Sequence, residues 1–275
     1  MFLQRVLVTF ILGPLTLFLI YLGGWFYFAA FAALLIVAAV EYSQLVGKLG
    51  WHSPLWLIIP AAFLQWFLPP SVQRMLFGAG GIQVNLAPFA LLLAFLAVMV
   101  YALWLYEKKP EEDAPGSWTA AIFGILFIGW LGSYFFRLRG VPEDAAAWTA
   151  LAMLGTWIAD SGAYVFGKTI GKHKLSPRLS PNKTIEGYLG GILSSAIFTT
   201  LIAAFLDLDL VIAFVLSLLV SVISPAGDLG VSMLKRAVGV KDSGKILPGH
   251  GGALDRIDSL IWSVAMAYYL VTFTG

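Results

Sequence analysis

Apolar residues fill this chain in blocks of about twenty, parted by short polar, glycine- or proline-bearing breaks, and a helix of that length crosses a bilayer. The blocks predict nine helices, near Phe2–Leu22, Gly24–Val40, Pro54–Leu68, Leu86–Tyr106, Trp118–Phe136, Ala146–Phe166, Tyr188–Leu206, Leu210–Ile223 and Ile257–Phe273. The third and eighth are short enough to be tilted or re-entrant. Trp25, Trp51, Trp56, Trp66, Trp104, Trp118, Trp130 and Trp148 fall near the predicted ends, where amphipathic rings settle at the interface. The first block has one early cation, Arg5, but outruns a signal-peptide core and passes through Tyr21-Leu22-Gly23-Gly24-Trp25 without a small-x-small cleavage pattern, so it reads as a span. The pattern predicts an all-α, polytopic integral membrane protein of about nine transmembrane helices.

Composition agrees with the pattern: 60% of the 275 residues are hydrophobic, 12% are charged, and the mean hydropathy is +0.87. The absence of cysteine excludes disulfides, thiolate zinc sites and thiol nucleophiles. A net charge of +2 gives no case for nucleic acid, so the placement of charge matters more than its sum. With a cytoplasmic N-terminus, 14 of the 17 Lys and Arg fall on inner segments, leaving Arg74, Arg137 and Arg139 outside. The odd helix count then puts the uncharged C-terminus outside. No repeat at a fixed period is present. The run from Glu107 to Asp113 reads as a solvated loop, and Gly78 to Gly81 lacks the lysine and the strand-to-helix context of a phosphate loop.

Two polar loops emerge on the predicted cytoplasmic face, 160–187 and 224–258, both within a C-terminal part of about four helices, 141–275. The N-terminal part, 1–140, holds about five spans and reads as structural or dimer-forming. In the first loop Asp160 lies inside the sixth helix, where an ionised group needs a partner. Lys168, Lys172, Lys174, Arg178 and Lys183 then face a single Glu186, and the Ser-Pro pairs and Gly187 fix backbone shape beyond what a lipid-touching loop requires.

The second loop concentrates nine charges: Lys235, Arg236, Lys241, Lys245 and Arg256 against Asp228, Asp242, Asp255 and Asp258. If helix persists from Asp228 through Arg236, then Asp228, Ser232 and Lys235 share one face, with Arg236 beside them. Asp255 and Asp258, spaced i, i+3 at the start of the last helix, can point the same way. Capping accounts for one such aspartate, not for three with interleaved cations. Gly249, Gly251 and Gly252 would let backbone N–H groups approach anionic oxygens, with Lys241 and Lys245 adding charge. Hard oxygen donors beside phosphate-binding groups point to magnesium or a similar ion. His250 has no partner at ligand spacing and reads as a hydrogen-bonding or phosphate-contacting group.

The motif at Ser232, Lys235, Arg236, Lys241, Asp242, Gly244, Leu247, Pro248, His250, Gly251, Gly252, Asp255, Arg256 and Asp258 resembles the signature of the CDP-diacylglycerol synthases, also called phosphatidate cytidylyltransferases. Asp160-Ser161-Gly162-Ala163-Tyr164 and the stretch Ser180 to Gly187 extend the likeness across the C-terminal half. Ala253, Val231 and Asn182 depart from the family pattern without removing a metal ligand.

The resemblance implies that a phosphatidate phosphate attacks the α-phosphorus of CTP and expels pyrophosphate. On this reading Asp228, Lys235, Lys241 and Asp255 are the expected catalytic residues. Asp228, Asp255 and Asp258 would hold Mg2+, with room for a second monovalent or divalent cation. Asp160, Lys183, Ser232, Arg236, Asp242, His250, Gly251, Gly252 and Arg256 would bind substrate. The expected setting is a bacterial-type inner membrane, with membrane lipid as neighbour, the active site facing the cytoplasm, and a homodimer allowed. Rival readings are a CTP-dependent lipid kinase, a cytidylyltransferase with another lipid acceptor, and a membrane transporter; a transporter would place ionisable residues near midplane in several helices.

Overall fold

The computed structural model describes residues 2–244 and 251–274, with the backbone alone for 2–10 and for Ala79. Twelve α-helices and one two-stranded hairpin are seen among these residues. In chain order the helices are α1 (Phe2–Leu22), α2 (Gly24–Gly47), α3 (Leu55–Phe67), α4 (Pro70–Phe77), α5 (Ala87–Lys108), α6 (Ala114–Gly124) and α7 (Ser133–Arg139). After them come α8 (Ala145–Thr169), strands β1 (Lys174–Ser176) and β2 (Ser180–Thr184), α9 (Ile185–Phe205), α10 (Leu210–Ala237), α11 (Leu254–Ile257) and α12 (Leu260–Thr274).

Six helical stretches of the described residues are long and apolar enough to cross a membrane: Gly24–Gly47, Ala87–Lys108, Ala114–Arg139, Ile185–Phe205, Leu210–Ala237 and Leu254–Thr274. A seventh arises if α3 and α4 form one broken span, bent by 73° where Pro69 and Pro70 interrupt the helix. The predicted sixth span forms as α8 but is not among the six, since Thr149, Thr156, Asp160, Ser161 and Lys168 dilute its apolar character. Along α5, Phe89, Leu92, Leu96, Val100 and Leu103 all face outward, as do Leu189, Leu193 and Phe198 on α9; water would not tolerate such stripes, whereas lipid would.

The chain divides into two compact units, residues 1–140 with 237–257, and residues 141–236 with 258–275. The first unit has an aromatic core in which Tyr27, Trp66, Tyr134, Phe135 and Phe136 are fully buried. Buried polar tips there find backbone partners: Tyr27 donates to the Phe135 carbonyl (3.0 Å) and Tyr42 to that of Ala120 (2.7 Å). Between α6 and α7 the helix widens to a π-helical turn, Ile125–Leu131, and Trp66 Nε1 donates to the Ile128 carbonyl at 3.0 Å. Asp113 caps α6 by accepting from the Gly116 amide at 2.8 Å, and Trp51 Nε1 donates to its other oxygen.

The second unit is built on the close pairing of α8 with α9. A Cβ at Gly191 would meet the Ala159 carbonyl, and one at Gly190 would strike the Phe166 ring, so these small residues let the two backbones approach. Thr156 on α8 donates to Ser263 on α12 at 2.7 Å, and the Ser195 hydroxyl on α9 lies within 3.3 Å of the Ser217 carbonyl on α10.

Candidate active site

The basic loop of the second unit is a folded hairpin rather than an irregular connection. Strands β1 and β2 pair antiparallel, Lys174 opposite Thr184 and Ser176 opposite Ser180. Glu186 fixes its base: the carboxylate accepts from the Lys172 amide (3.0 Å) and the His173 amide (3.2 Å) and meets His173 Nδ1 at 2.5 Å. Thr184 caps α9 through the Gly187 amide at 3.1 Å. Gly187 is required there, because a Cβ would collide with the Ala163 carbonyl.

Helix does persist from Asp228 through Arg236 as the last turns of α10, so the expected face forms. Lys183, carried on β2, meets Asp228 Oδ2 at 2.5 Å. Ser232 lies 3.5 Å from Asp228 Oδ1, and Lys235 and the Asp258 side chain are further neighbours of the same carboxylate. Lys235 and Asp258 are buried, at 6% and 5% exposure. Arg236 Nε donates to the Leu179 carbonyl at the hairpin tip (3.4 Å), a second tie from α10 to the hairpin. Asp258 lies in the break between α11 and α12 and accepts from the Ser259 amide at 2.7 Å. Gly227 lets the chain pass close, since a Cβ would run into the Asp258 carbonyl and the Trp262 ring. Lys183, Asp228, Ser232, Lys235 and Asp258 are thus one cluster, and Asp160 is exposed on α8.

The remaining motif residues belong to the first unit. Asp255, on α11, organises the glycine turn: its Oδ2 accepts from the Ser243 amide (2.8 Å) and the Gly252 amide (2.9 Å) and lies 2.9 Å from the Ser243 hydroxyl. Gly251 has a left-handed backbone (φ 80°), and a Cβ there would press on the same oxygen. Lys241, Asp242 and Arg256 are exposed. His250, with Lys245, Leu247, Pro248 and Gly249, lies outside the described residues.

Among the described residues no three His, Asp or Glu side chains gather into a cluster able to hold a metal ion. Asp228 and Asp258 do offer two neighbouring hard-oxygen donors, and the Lys183 ammonium sits where two such carboxylates call for a cation. That donor set fits magnesium, which commonly takes one or two carboxylates and completes its shell with waters and substrate phosphates.

Two residues of the glycine turn's surroundings were not foreseen from the sequence, Glu41 and Ser243. Glu41, on α2, is 3% exposed and accepts from the Ser243 hydroxyl (2.8 Å) and from the amides of Ala253 (3.1 Å) and Leu254 (2.9 Å). The available signal was a lone acid at the end of the apolar run Phe28 to Val40, a position that demands a partner.

The sequence profile of the "Cytidylyltransferase family" matches residues 3–274. The chain is 38% identical over 217 residues to the phosphatidate cytidylyltransferase of Bacillus subtilis (strain 168), covering 78% of this chain and 77% of that one. It is 32% identical over 296 residues to the phosphatidate cytidylyltransferase of Synechocystis sp., covering 98% and 96%. Against the protein of that name from Staphylococcus haemolyticus the identity is 41% over 157 residues, covering 56% and 60%. With the profile match running nearly end to end and relatives aligned over most of both chains, the chain belongs to the cytidylyltransferase family.

Proposed function

We propose that this protein transfers the cytidylyl group of CTP to phosphatidate, giving CDP-diacylglycerol and pyrophosphate, in a bacterial-type inner membrane with the reacting groups on the cytoplasmic side. The observation that carries the acceptor is the name shared by relatives that align over most of both chains. The sidedness follows the asymmetry of Lys and Arg, 14 of 17 on one set of segments.

A phosphate oxygen of phosphatidate attacks the α-phosphorus of CTP, forming the new P–O bond as the bond from that phosphorus to the β-phosphate bridging oxygen breaks. A phosphate monoester is largely ionised near neutral pH, its second pKa being about 6, so no strong base is needed. The work is to bring two polyanions together and to stabilise charge on the leaving pyrophosphate. Magnesium, held by Asp228 and Asp258, would supply part of that neutralisation when bound, and Asp255 is the further carboxylate proposed for metal.

Lys183 is poised for an exchange of partners. It neutralises Asp228, and a substrate phosphate would be an alternative partner for its ammonium, which would leave the carboxylate to a cation. Lys235 and Arg236 on α10, with Lys241 and Arg256, supply further phosphate charge, and Ser232, Asp242, His250, Gly251 and Gly252 shape the nucleotide site. Asp160 completes it from α8. Purified protein given CTP, phosphatidate and magnesium should release pyrophosphate and form a CDP-lipid. Release of CDP, or turnover on a different lipid acceptor alone, would overturn the assignment.

A further inference from the structure

We infer that Glu41, in the N-terminal spans, is the positioning residue for the glycine turn that receives CTP. Both carboxylate oxygens are committed. Oε1 accepts the Ala253 amide, and Oε2 accepts the Leu254 amide and the Ser243 hydroxyl. A buried carboxylate holding two backbone amides fixes their direction, and it does so where the chain turns from the glycines into α11. The Ser243 hydroxyl also lies 2.9 Å from Asp255 Oδ2, so one side chain joins Glu41 to the aspartate that holds the Ser243 and Gly252 amides. With a single proton it donates to one carboxylate at a time.

Two glycines of the motif follow from this acid. A Cβ at Gly244 would collide with Glu41 Oε1, and one at Gly252 with Oε2 and the Ser243 hydroxyl. Their smallness makes room for the Glu41 carboxylate, which suits a loop built around an internal anion. Exposed Lys241 and Arg256, outside that cradle, remain available to phosphate.

Glu41→Gln is the informative variant. Whichever way the amide is turned, its NH2 faces a backbone N–H, of Ala253 or of Leu254, so the cradle is broken on one side at nearly constant volume. In substrate-free protein, hydrogen exchange at the Ala253 and Leu254 amides should quicken at least tenfold. In turnover, KM for CTP should rise roughly tenfold while KM for phosphatidate stays within twofold. Ser243→Ala, which leaves Glu41 both amides, should move the same quantities in the same direction by less, and it decides the matter if Glu41→Gln does not fold. Unchanged exchange at those amides, or equal rises in both KM values, overturns the inference. The CTP assignment rests on the proposed function, whereas the exchange measurement needs no substrate; wild-type protein that makes no CDP-lipid would sink the function and leave the role of Glu41 in the turn to be judged by exchange alone.

Discussion

Asp228 and Glu41 are both partnered, yet by opposite means. Asp228, in the second unit, is held by a cation on a strand, with Lys235 and another carboxylate nearby. Glu41, in the first, is held by two backbone amides and a hydroxyl. An ammonium on a flexible stem can leave and be replaced by a metal or answer to a phosphate, whereas amides cannot move without moving the chain. The difference separates a carboxylate suited to exchange partners from one suited to hold a shape.

The largest expected effect tests the exchangeable side. Asp228→Ala removes a proposed metal ligand and strands Lys183, so turnover should fall by roughly a thousandfold, measured as pyrophosphate release. Near-normal turnover would end the metal role of Asp228. Lys183→Ala leaves the carboxylate but takes its resting partner and a phosphate contact, and should cost roughly a hundredfold, mostly in kcat/KM for CTP. A loss confined to the phosphatidate KM would assign Lys183 to the other substrate.

Asp255 stands between the two kinds, since it is proposed for metal yet observed holding amides. Asparagine keeps one acceptor oxygen for the turn and loses the charge, so Asp255→Asn should lower turnover about a hundredfold with hydrogen exchange at Ser243 and Gly252 little changed. Loss below threefold would make Asp255 a loop residue alone. The smallest effect belongs to Asp113, an amide-held carboxylate at the mouth of α6. Asp113→Ala should destabilise by about 1 kcal/mol, read from thermal unfolding in detergent, with turnover preserved.

The sequence foretold the helices best where apolar length alone decides, as at α5 and α9. It did less well where a local break decides. The third predicted span, Pro54–Leu68, forms as α3, but the short helix α4 that follows Pro69 was not foreseen, and the C-terminal helix breaks at Asp258 and Ser259 into α11 and α12, which periodicity does not reveal. The face of Asp228, Ser232 and Lys235 was legible because helical spacing is local. The hairpin was not, because three- and five-residue strands carry too few positions for an alternation to register. Glu41 was hidden for another reason: its partners lie about two hundred residues away, and hydropathy ended the second helix at Val40 whereas α2 runs on to Gly47.

Helix α10 also acts as a ruler. Its apolar part, Leu210 to Gly227, rises about 27 Å at about 1.5 Å per residue, close to the ~30 Å of hydrocarbon, and the stretch from Asp228 to Ala237 adds about 15 Å more. An upright α10 spanning a bilayer of that thickness would bring Asp228 to the level where acyl chains give way to headgroups and a lipid phosphate sits. Acyl length of the host bilayer should tune the reaction. A thicker membrane draws the charged end down among the acyl chains, a thinner one lifts it past the phosphate plane, and the rate should peak at the thickness that matches the apolar part of α10.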